Sequence, residues 1–452
     1  MRTGVVTVAL AVLAFAPIRA AHAQFSFDAR RYGMGGVSLS RDGNARRYNP
    51  AYRAVKNKNH VPGAPKFSIP VPFGLIRFLK DHPINQLGND PMFDPKSPAF
   101  NPVALMDVIL NPPVFYEVKK APTPTNDVEF TIGRNQLVLD LGASKVLIPE
   151  QDFGIGTTSR LLDFGIGAAG FNVGVMGFLQ YDVRFTLDST LRDFLTSDSS
   201  ARPNTNYSVN VDGTAQAGFA PTIGYAGRLT HGAGGPDTDD GFYIGGALHY
   251  YMGATYGRGI GPAGFTTGNP VLAATPSPLV NGNLYTSNKP FGTGVGGDVG
   301  MVWISGPFEV GAGANDIGAQ LTWSHVKVQR FVYDTGTNKI LDSVVVADTT
   351  GKTKLPITYM ANAALHMGTG TTVGGDVINS GRGTIIHVGV EQRTGPLALR
   401  GGVSRDQRKR MQFGFGAGVR LGPLGLDVGF FTHSNSLSTE RAITMATAIS
   451  IY

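Results

Sequence analysis

The chain has 452 residues, 61 of them Gly and none Cys, with 16% charged and 42% hydrophobic. Glycine at about 13% is near double its usual share, and the missing cysteine excludes a disulfide scaffold and a thiolate metal site. The low charged fraction excludes a highly charged disordered chain, and a formal net charge of +7 with no long Lys or Arg run points away from nucleic acid as a partner.

Arg2 precedes an apolar run from Val5 to Phe15, then Pro17 and the small-x-small triplet Ala21-His22-Ala23. That order predicts a secretory signal peptide over residues 1–23, cleaved after Ala23. The run is well short of the roughly 20 residues a helix needs to cross a bilayer, and no later segment reaches that length. The sequence therefore predicts an exported product, either soluble in the periplasm or a barrel in the outer membrane.

Residues 24–127 do not alternate cleanly and are rich in proline, including Pro62, Pro65, Pro70, Pro72, Pro112 and Pro113. Proline cannot donate to a sheet ladder, so this is not a run of central strands, although it can contain the first one. Ala104 to Leu110 could form a short helix. The segment reads either as a loose linker or as a plug inside or beneath a barrel, because a wide lumen left unfilled conducts water.

From Phe171 the pattern changes. Phe171, Val173, Val175, Leu179, Tyr181, Val183 and Phe185 share one parity, while Asn172, Gly174, Gln180, Asp182, Arg184 and Thr186 share the other, with Met176 and Phe178 as exceptions. A period of two separates a polar from an apolar environment, and the run exceeds the usual soluble strand of about 5–6 residues. The alternation recurs around Phe242–Met252, Val295–Trp303, Phe413–Leu421 and Leu424–Phe430, and in the last strand through Ile443, Met445, Ile449 and Ile451, where Tyr452 falls on the opposite parity.

Outer-membrane barrels have short periplasmic turns and longer outer loops. Counting back from Tyr452 puts the tight turns Gly422-Pro423, Gly395-Pro396, Gly368 and Gly306-Pro307 on the periplasmic side, with His231 to Asp240 as a longer exception. Arg405 to Arg410, Asp334 to Gly351, Gly257 to Pro290 and Ser189 to Tyr207 become outer loops. The sequence predicts an all-β transmembrane antiparallel β-barrel of roughly 14 strands over residues 128–452, with an N-terminal plug or hatch and a first strand between Lys66 and Leu141.

Catalytic patterns are weak. G-x-G-x-x-G occurs at Gly165–Gly170, Gly259–Gly264 and Gly292–Gly297, but no helical pattern follows, as a dinucleotide site requires. Walker A, H-E-x-x-H and G-x-S-x-G are absent from the sequence, and the nine His are scattered. The reading is of a non-enzyme without cofactor or metal. The polar parity does collect Asp182, Arg184, Asp298, Asp376, His387, Glu391, Arg393, Arg400, Arg420 and Asp427 as lumen-lining candidates, since charge facing lipid is expensive. They read either as pairs that hold the plug or as the lining of a path.

Just after the leader comes Arg31-Tyr32-Gly33-Met34-Gly35-Gly36-Val37, then Asp42, Ala45 and Asn49-Pro50-Ala51. With the strands downstream, this segment resembles the start of the long-chain fatty-acid outer-membrane transporter superfamily, which includes related barrels used as secretion shuttles. Members typically carry a GMGG-type turn, an Asp-x-x-Ala step and Asn-Pro-Ala in a small hatch within the barrel. Where they usually continue with Gly-Leu, this chain has Tyr52-Arg53. The resemblance implies a hatch containing Gly33, Gly35, Gly36, Asp42, Asn49, Pro50 and Ala51, and passive uptake of hydrophobic small molecules such as long-chain fatty acids. In that picture ligand lands in an outer apolar groove, enters the lumen and leaves when the hatch shifts around Asn49–Ala51, with Arg184 or Arg400 as a charge-assisted partner for a carboxylate. The partners implied are outer-membrane lipid, a hydrophobic ligand and the barrel-assembly machinery during export. The rival readings are a non-transporting barrel that docks secreted or surface proteins, and an open diffusion porin.

Overall fold

Inside a bilayer no water satisfies backbone N–H and C=O groups, so alternation alone does not make a wall; each strand also needs a neighbour on either side. A computed structural model of the chain describes residues 29–38, 43–56, 58, 67–71, 79–80, 82–83, 86, 116–119, 129–133 and 136–140. From 152 to 451 it describes all residues but 197–199, 272–276, 290, 335, 338, 369, 382, 407–410 and 433–441. The predicted leader, Asp42 and the helix expected at 104–110 lie outside the described residues.

The short strands β1 (Phe67–Pro70), β2 (Tyr116–Lys119), β3 (Glu129–Gly133) and β4 (Gln136–Asp140) come first; β3 and β4 pair only with each other among the described residues. The wall then runs through β5 (Asp152–Ala168), β6 (Phe171–Leu187), β7 (Asn206–His231) and β8 (Gly241–Thr266), each antiparallel to the next. After β9 (Ser277–Ser287), the strand β10 (Gly292–Ser305) continues the wall from β8, and β11 (Phe308–Asp334) pairs with β10. Beyond β12 (Lys339–Lys354), β13 (Thr358–Met367) pairs with β11 and leads into β14 (Thr371–Asn379), β15 (Thr384–Thr394) and β16 (Leu397–Arg405). The series ends with β17 (Met411–Leu421), β18 (Leu424–Thr432) and β19 (Ala442–Ile451).

The far edge of β19 is shared by two pieces. Phe67 faces Ile451 and Pro70 faces Ala448, while Tyr116 faces Met445 and Lys119 faces Ala442. The first wall position is thus one strand in two parts, both inside the interval expected from sequence. With the thirteen strands from β5 to β19 that follow one another in the wall, it makes fourteen positions among the described residues.

β9 and β12 stay outside that succession and correct the expectation of outer loops. β9 pairs with Gly257–Thr266 of β8 and with Val326–Val332 of β11, and β12 pairs with β11 from Gln320 to Asp334. The stretches expected to be loops at Gly257–Pro290 and Asp334–Gly351 are therefore largely sheet, continuing the wall outward. Ladder bonds to neighbouring strands, not hydrophobic alternation, hold these segments. The first outer loop folds into helix α3 (Ser189–Thr196), numbered after two helices in the N-terminal segment, and packs Phe194 against Tyr207.

The two faces separate as the alternation requires. Along β15, Ile386, Val388 and Val390 are exposed on the outside while His387 and Glu391 are buried inside. The two- and three-residue turns gather at one end, where Pro307 O accepts from His366 N at 2.9 Å, Gly370 O from Arg393 N at 2.8 Å and Pro396 O from Arg420 N at 2.7 Å. Gly306, Gly395 and Gly422 reverse the chain there with φ of 55°, 59° and 62°, a conformation that costs a residue with a Cβ. The three G-x-G-x-x-G segments lie in strands β5, β8 and β10 and their turns, with no following helix.

Val388→Arg, which places a cation on the lipid side of mid-β15, is expected to cost about 2–4 kcal/mol in urea unfolding from lipid vesicles. The same change at an exposed residue of β12, above the bilayer, is expected to cost less than about 1 kcal/mol.

Candidate functional site

The N-terminal segment lies against the inner face of the wall in the half nearer the short turns. Helix α1 (Ala29–Gly33) ends in Gly35 and Gly36 at φ of 71° and 93°, and the N–H of Gly36 closes on Arg31 O at 2.8 Å. Two consecutive left-handed residues are one reason this turn needs glycine. The other is contact: a Cβ on Gly35 would lie 2.5 Å from Val403 N, and one on Gly36 would lie 2.6 Å from the His387 ring. The wall answers with glycine of its own, since a Cβ at Gly402 or Gly389 would run into the backbone of Met34.

Helix α2 (Gly43–Tyr48) follows, and then the 3-10 turn Pro50–Ala54. Asn49, fully buried, caps that turn: its Oδ1 accepts from Ala51 N at 3.0 Å and its Nδ2 donates to Met301 O of the wall at 2.8 Å. Pro50 biases Asn49 to the extended φ of −141° and ψ of 102° that aim the side chain both ways. Gly245, Gly300 and Gly313 leave room for Tyr48–Ala51 to touch the wall. Tyr52 and Arg53 supply contacts of their own: Asn362 Nδ2 donates to the Tyr52 hydroxyl at 2.6 Å, and Arg53 pairs with Asp163 at 2.8 Å.

Charge pairs fasten the segment at both ends. Glu391 receives Arg30 from α1 through two bonds of 2.9 and 3.0 Å, Arg400 at 2.6 Å and Arg393 at 2.9 Å. Arg400 continues to Asp427 at 2.7 Å, which accepts from Ser450 Oγ at 2.7 Å. Nearby, Asp376 takes His387 Nδ1 at 2.5 Å and the Ser38 N–H at 2.5 Å. On the other side Arg160 spans Asp298, at 2.6 and 2.8 Å, and Asp316 at 2.9 Å, and donates to Arg47 O at 3.4 Å. His249 lies 2.8 Å from both Asp298 and Thr222, and Tyr251 donates to Asp316 at 2.5 Å. Burial, helped by Arg31 and Arg160, pushes the Arg47 guanidinium of α2 down to about 10, still cationic at neutral pH.

Of the expected lumen residues, the structure brings Glu391, Arg393, Arg400 and Asp427 together under α1, pairs Asp376 with His387 under Ser38, and places Asp298 under α2. Asp182 and Arg184 pair at 3.7 Å on β6, away from these clusters, where the Arg184 side chain is 71% exposed. Arg420 lies exposed at the rim of the short turns, donating to Gly422 O at 3.1 Å. Arg30, Arg160, Asp163 and Asp316 escape the sequence reading, and His249 and Tyr251, which share the polar parity of their strand, are not among its candidates. Two bulges explain part of this: pairing slips between Arg160 and Leu162 in β5, and again along β10–β11, where Asp316 sits at φ of 60°. An extra residue flips the parity and turns a side chain inward that the pattern counts as outward.

Above the hatch the lumen changes character. Met176 and Phe178, the exceptions in the β6 pattern, are buried with Tyr251, Leu321 and Trp323 in one apolar cluster. Phe178 meets Tyr251 edge-on at 5.4 Å, and Tyr256 stacks on Trp323 at 5.3 Å. The Trp323 ring covers Gly253 and Gly292, where any Cβ would collide with it. Its Nε1 donates to Thr353 Oγ1 at 2.9 Å, which donates to Gln216 at 2.6 Å. The interior thus holds two distinct contact zones, the polar one around the N-terminal segment and this aromatic cluster.

Glu391→Ala removes the carboxylate that Arg30, Arg393 and Arg400 share, leaving Arg400 its pair with Asp427. It is expected to cost about 3–5 kcal/mol, concentrated on the seating of α1. The expected readout is faster proteolysis within residues 29–58 and a measurable planar-bilayer conductance, with the wall still resistant to SDS before heating.

No protein-family model matches the chain, and no curated protein matches it. Among solved structures the chain is similar to the toluene transporter TbuX of Ralstonia pickettii, at 11% identity over 69% of this chain and 94% of that one, with a TM-score of 0.32. It is similar to the CymD monoaromatic hydrocarbon channel at 11% identity, over 67% and 87% of the two chains, with a TM-score of 0.36. The toluene transporter TodX of Pseudomonas putida, at 11% identity over 72% and 94%, has a TM-score of 0.34.

Proposed function

We propose that this barrel is a passive outer-membrane channel for hydrophobic small molecules, long-chain fatty acids among them. One observation carries the reading: the inward parity, which is polar and wetted in a water-filled porin, holds Met176, Phe178, Leu321 and Trp323 in one buried apolar cluster. Such a cluster is a poor path for ions and a favourable one for an apolar solute, which replaces protein contacts at little desolvation cost. Ligand entering from outside parts the aromatic layer, reaches the hatch and leaves when the segment around Asn49–Ala51 shifts. Arg184, exposed on β6 and held by a 3.7 Å contact to Asp182, offers its guanidinium to a carboxylate on arrival, whereas Arg400 is buried between Glu391 and Asp427.

The chain has two tryptophans, and Trp303 faces outward while Trp323 is buried in the layer. In a Trp303→Phe background, dibrominated stearate is expected to quench Trp323 in proportion to uptake by vesicles. Uptake without quenching would remove the layer from the path, and absence of uptake would defeat the reading. Because the chain has no cysteine, Ser38→Cys with Asp376→Cys tests the hatch cleanly: oxidation is expected to stop transport and dithiothreitol to restore it.

A second reading, a barrel that docks secreted or surface proteins, is favoured by β12. Ile340, Leu341, Val344 and Val345 are exposed on both faces of a strand that pairs on one side only among the described residues. Serine at these four positions is expected to leave uptake intact. Loss of a co-purifying exported protein in that variant would favour docking.

A further inference from the structure

A cavity of about 740 Å³ opens at the periplasmic end of the barrel, within the usual size range of a small-molecule site. Three parts of the chain enclose it: the end of the hatch segment from Arg46 to Lys58, the tip of the β5–β6 hairpin, and the longer β7–β8 turn. The enclosure is braced by the Arg53–Asp163 pair at 2.8 Å and by Lys58 Nζ donating to Pro236 O at 2.6 Å. Arg228 holds the turn in shape by donating to Thr238 O at 2.8 Å and Gly235 O at 3.0 Å.

The lining is unbalanced in charge. It has five cationic side chains, from Arg46, Arg53, Lys56, Lys58 and Arg228, against two carboxylates. Of the two carboxylates, Asp163 is engaged by Arg53 and Asp239 is buried. What the cavity offers a visitor is therefore positive, chiefly Lys56 and Lys58, which are exposed on a segment that is already anchored. Its outer lip is different: Ile166, Phe171 and Tyr225 also line it, each on the outward parity and exposed, with Phe171 and Tyr225 in ring contact at 5.0 Å. Cations beside an outward apolar surface at the edge of the bilayer match one kind of molecule, with a charged head and an apolar tail.

We infer that this cavity binds an anionic amphiphile, its phosphate or carboxylate head between Lys56 and Lys58 and its chain along Ile166, Phe171 and Tyr225. The site lies apart from the aromatic layer and stands whether or not the barrel transports. Such a head comes either from a lipid of the periplasmic leaflet or from a free fatty acid, and the shared chemistry is a compact anion on an alkyl chain.

The test uses the full-length protein in neutral detergent and the probes dodecyl phosphate and dodecanol. Lys56→Gln with Lys58→Gln is expected to weaken dodecyl phosphate binding at least tenfold, Lys56→Arg with Lys58→Arg to preserve it, and dodecanol to bind weakly to all. Both lysines are exposed, so unheated gel mobility is expected to stay that of the folded barrel. If dodecyl phosphate binds the glutamine variant as tightly as the parent, or dodecanol competes equally, the site is not an anion site and the inference falls. Phospholipid retained through purification distinguishes the sources: a fall in the glutamine variant identifies a resident lipid, and unchanged lipid with weaker dodecanoate binding identifies a free acid.

Discussion

Lipid has nothing to bond to a backbone amide, and from that deficit most of this molecule follows. The strands must pair edge to edge, the pairing produces a wide wall, and the wall encloses a space that must be filled or opened. Filling it with the chain's own backbone raises the same problem again, because the hatch carries amides that need partners. Asn49, Arg30 and the Ser38 N–H meet it by bonding to groups on the inner wall.

Glycine is what lets these two surfaces meet. The wall and the hatch touch main chain to main chain at Gly35 against Gly402 and at Tyr48 against Gly313, where any larger residue collides. The high glycine content is thus the complement of an internal segment lying flat on a sheet. The charges work differently. Buried in the lumen, Glu391 and Arg400 are costly to strand, so their network acts as a latch whose members depend on one another. The aromatic layer outward of it has no such requirement and holds by packing and by the Trp323–Thr353–Gln216 chain.

How much of this could be read from residues alone varies from part to part. The alternation of β15, with Val388 outside and His387 inside, reads directly because a strand has a period of two and lipid enforces it. The turn at Gly35 and Gly36 and the extended Asn49 before Pro50 have local conformational reasons, positive φ and the restriction before proline. Arg160 and Asp316 were not legible, because a bulge shifts parity and only the partner strand reveals it. Met176 and Phe178 looked like errors in a polar face; they are the floor of the aromatic layer, and nothing within β6 announces Tyr251 and Trp323 above them. The outer hairpins failed for a related reason, as their strands are held by ladder bonds to neighbours rather than by two different solvents.

By itself the sequence determined the kind of wall and where its short turns fall, both set within a few residues along the chain. Tertiary structure decided which wall charges grip the hatch, where parity slips, and that the outer lumen is apolar. Those outcomes depend on side chains hundreds of residues apart, such as Arg30 and Glu391, arriving at one place. Only the packing of the N-terminal helix on the inner face of the wall brings them there.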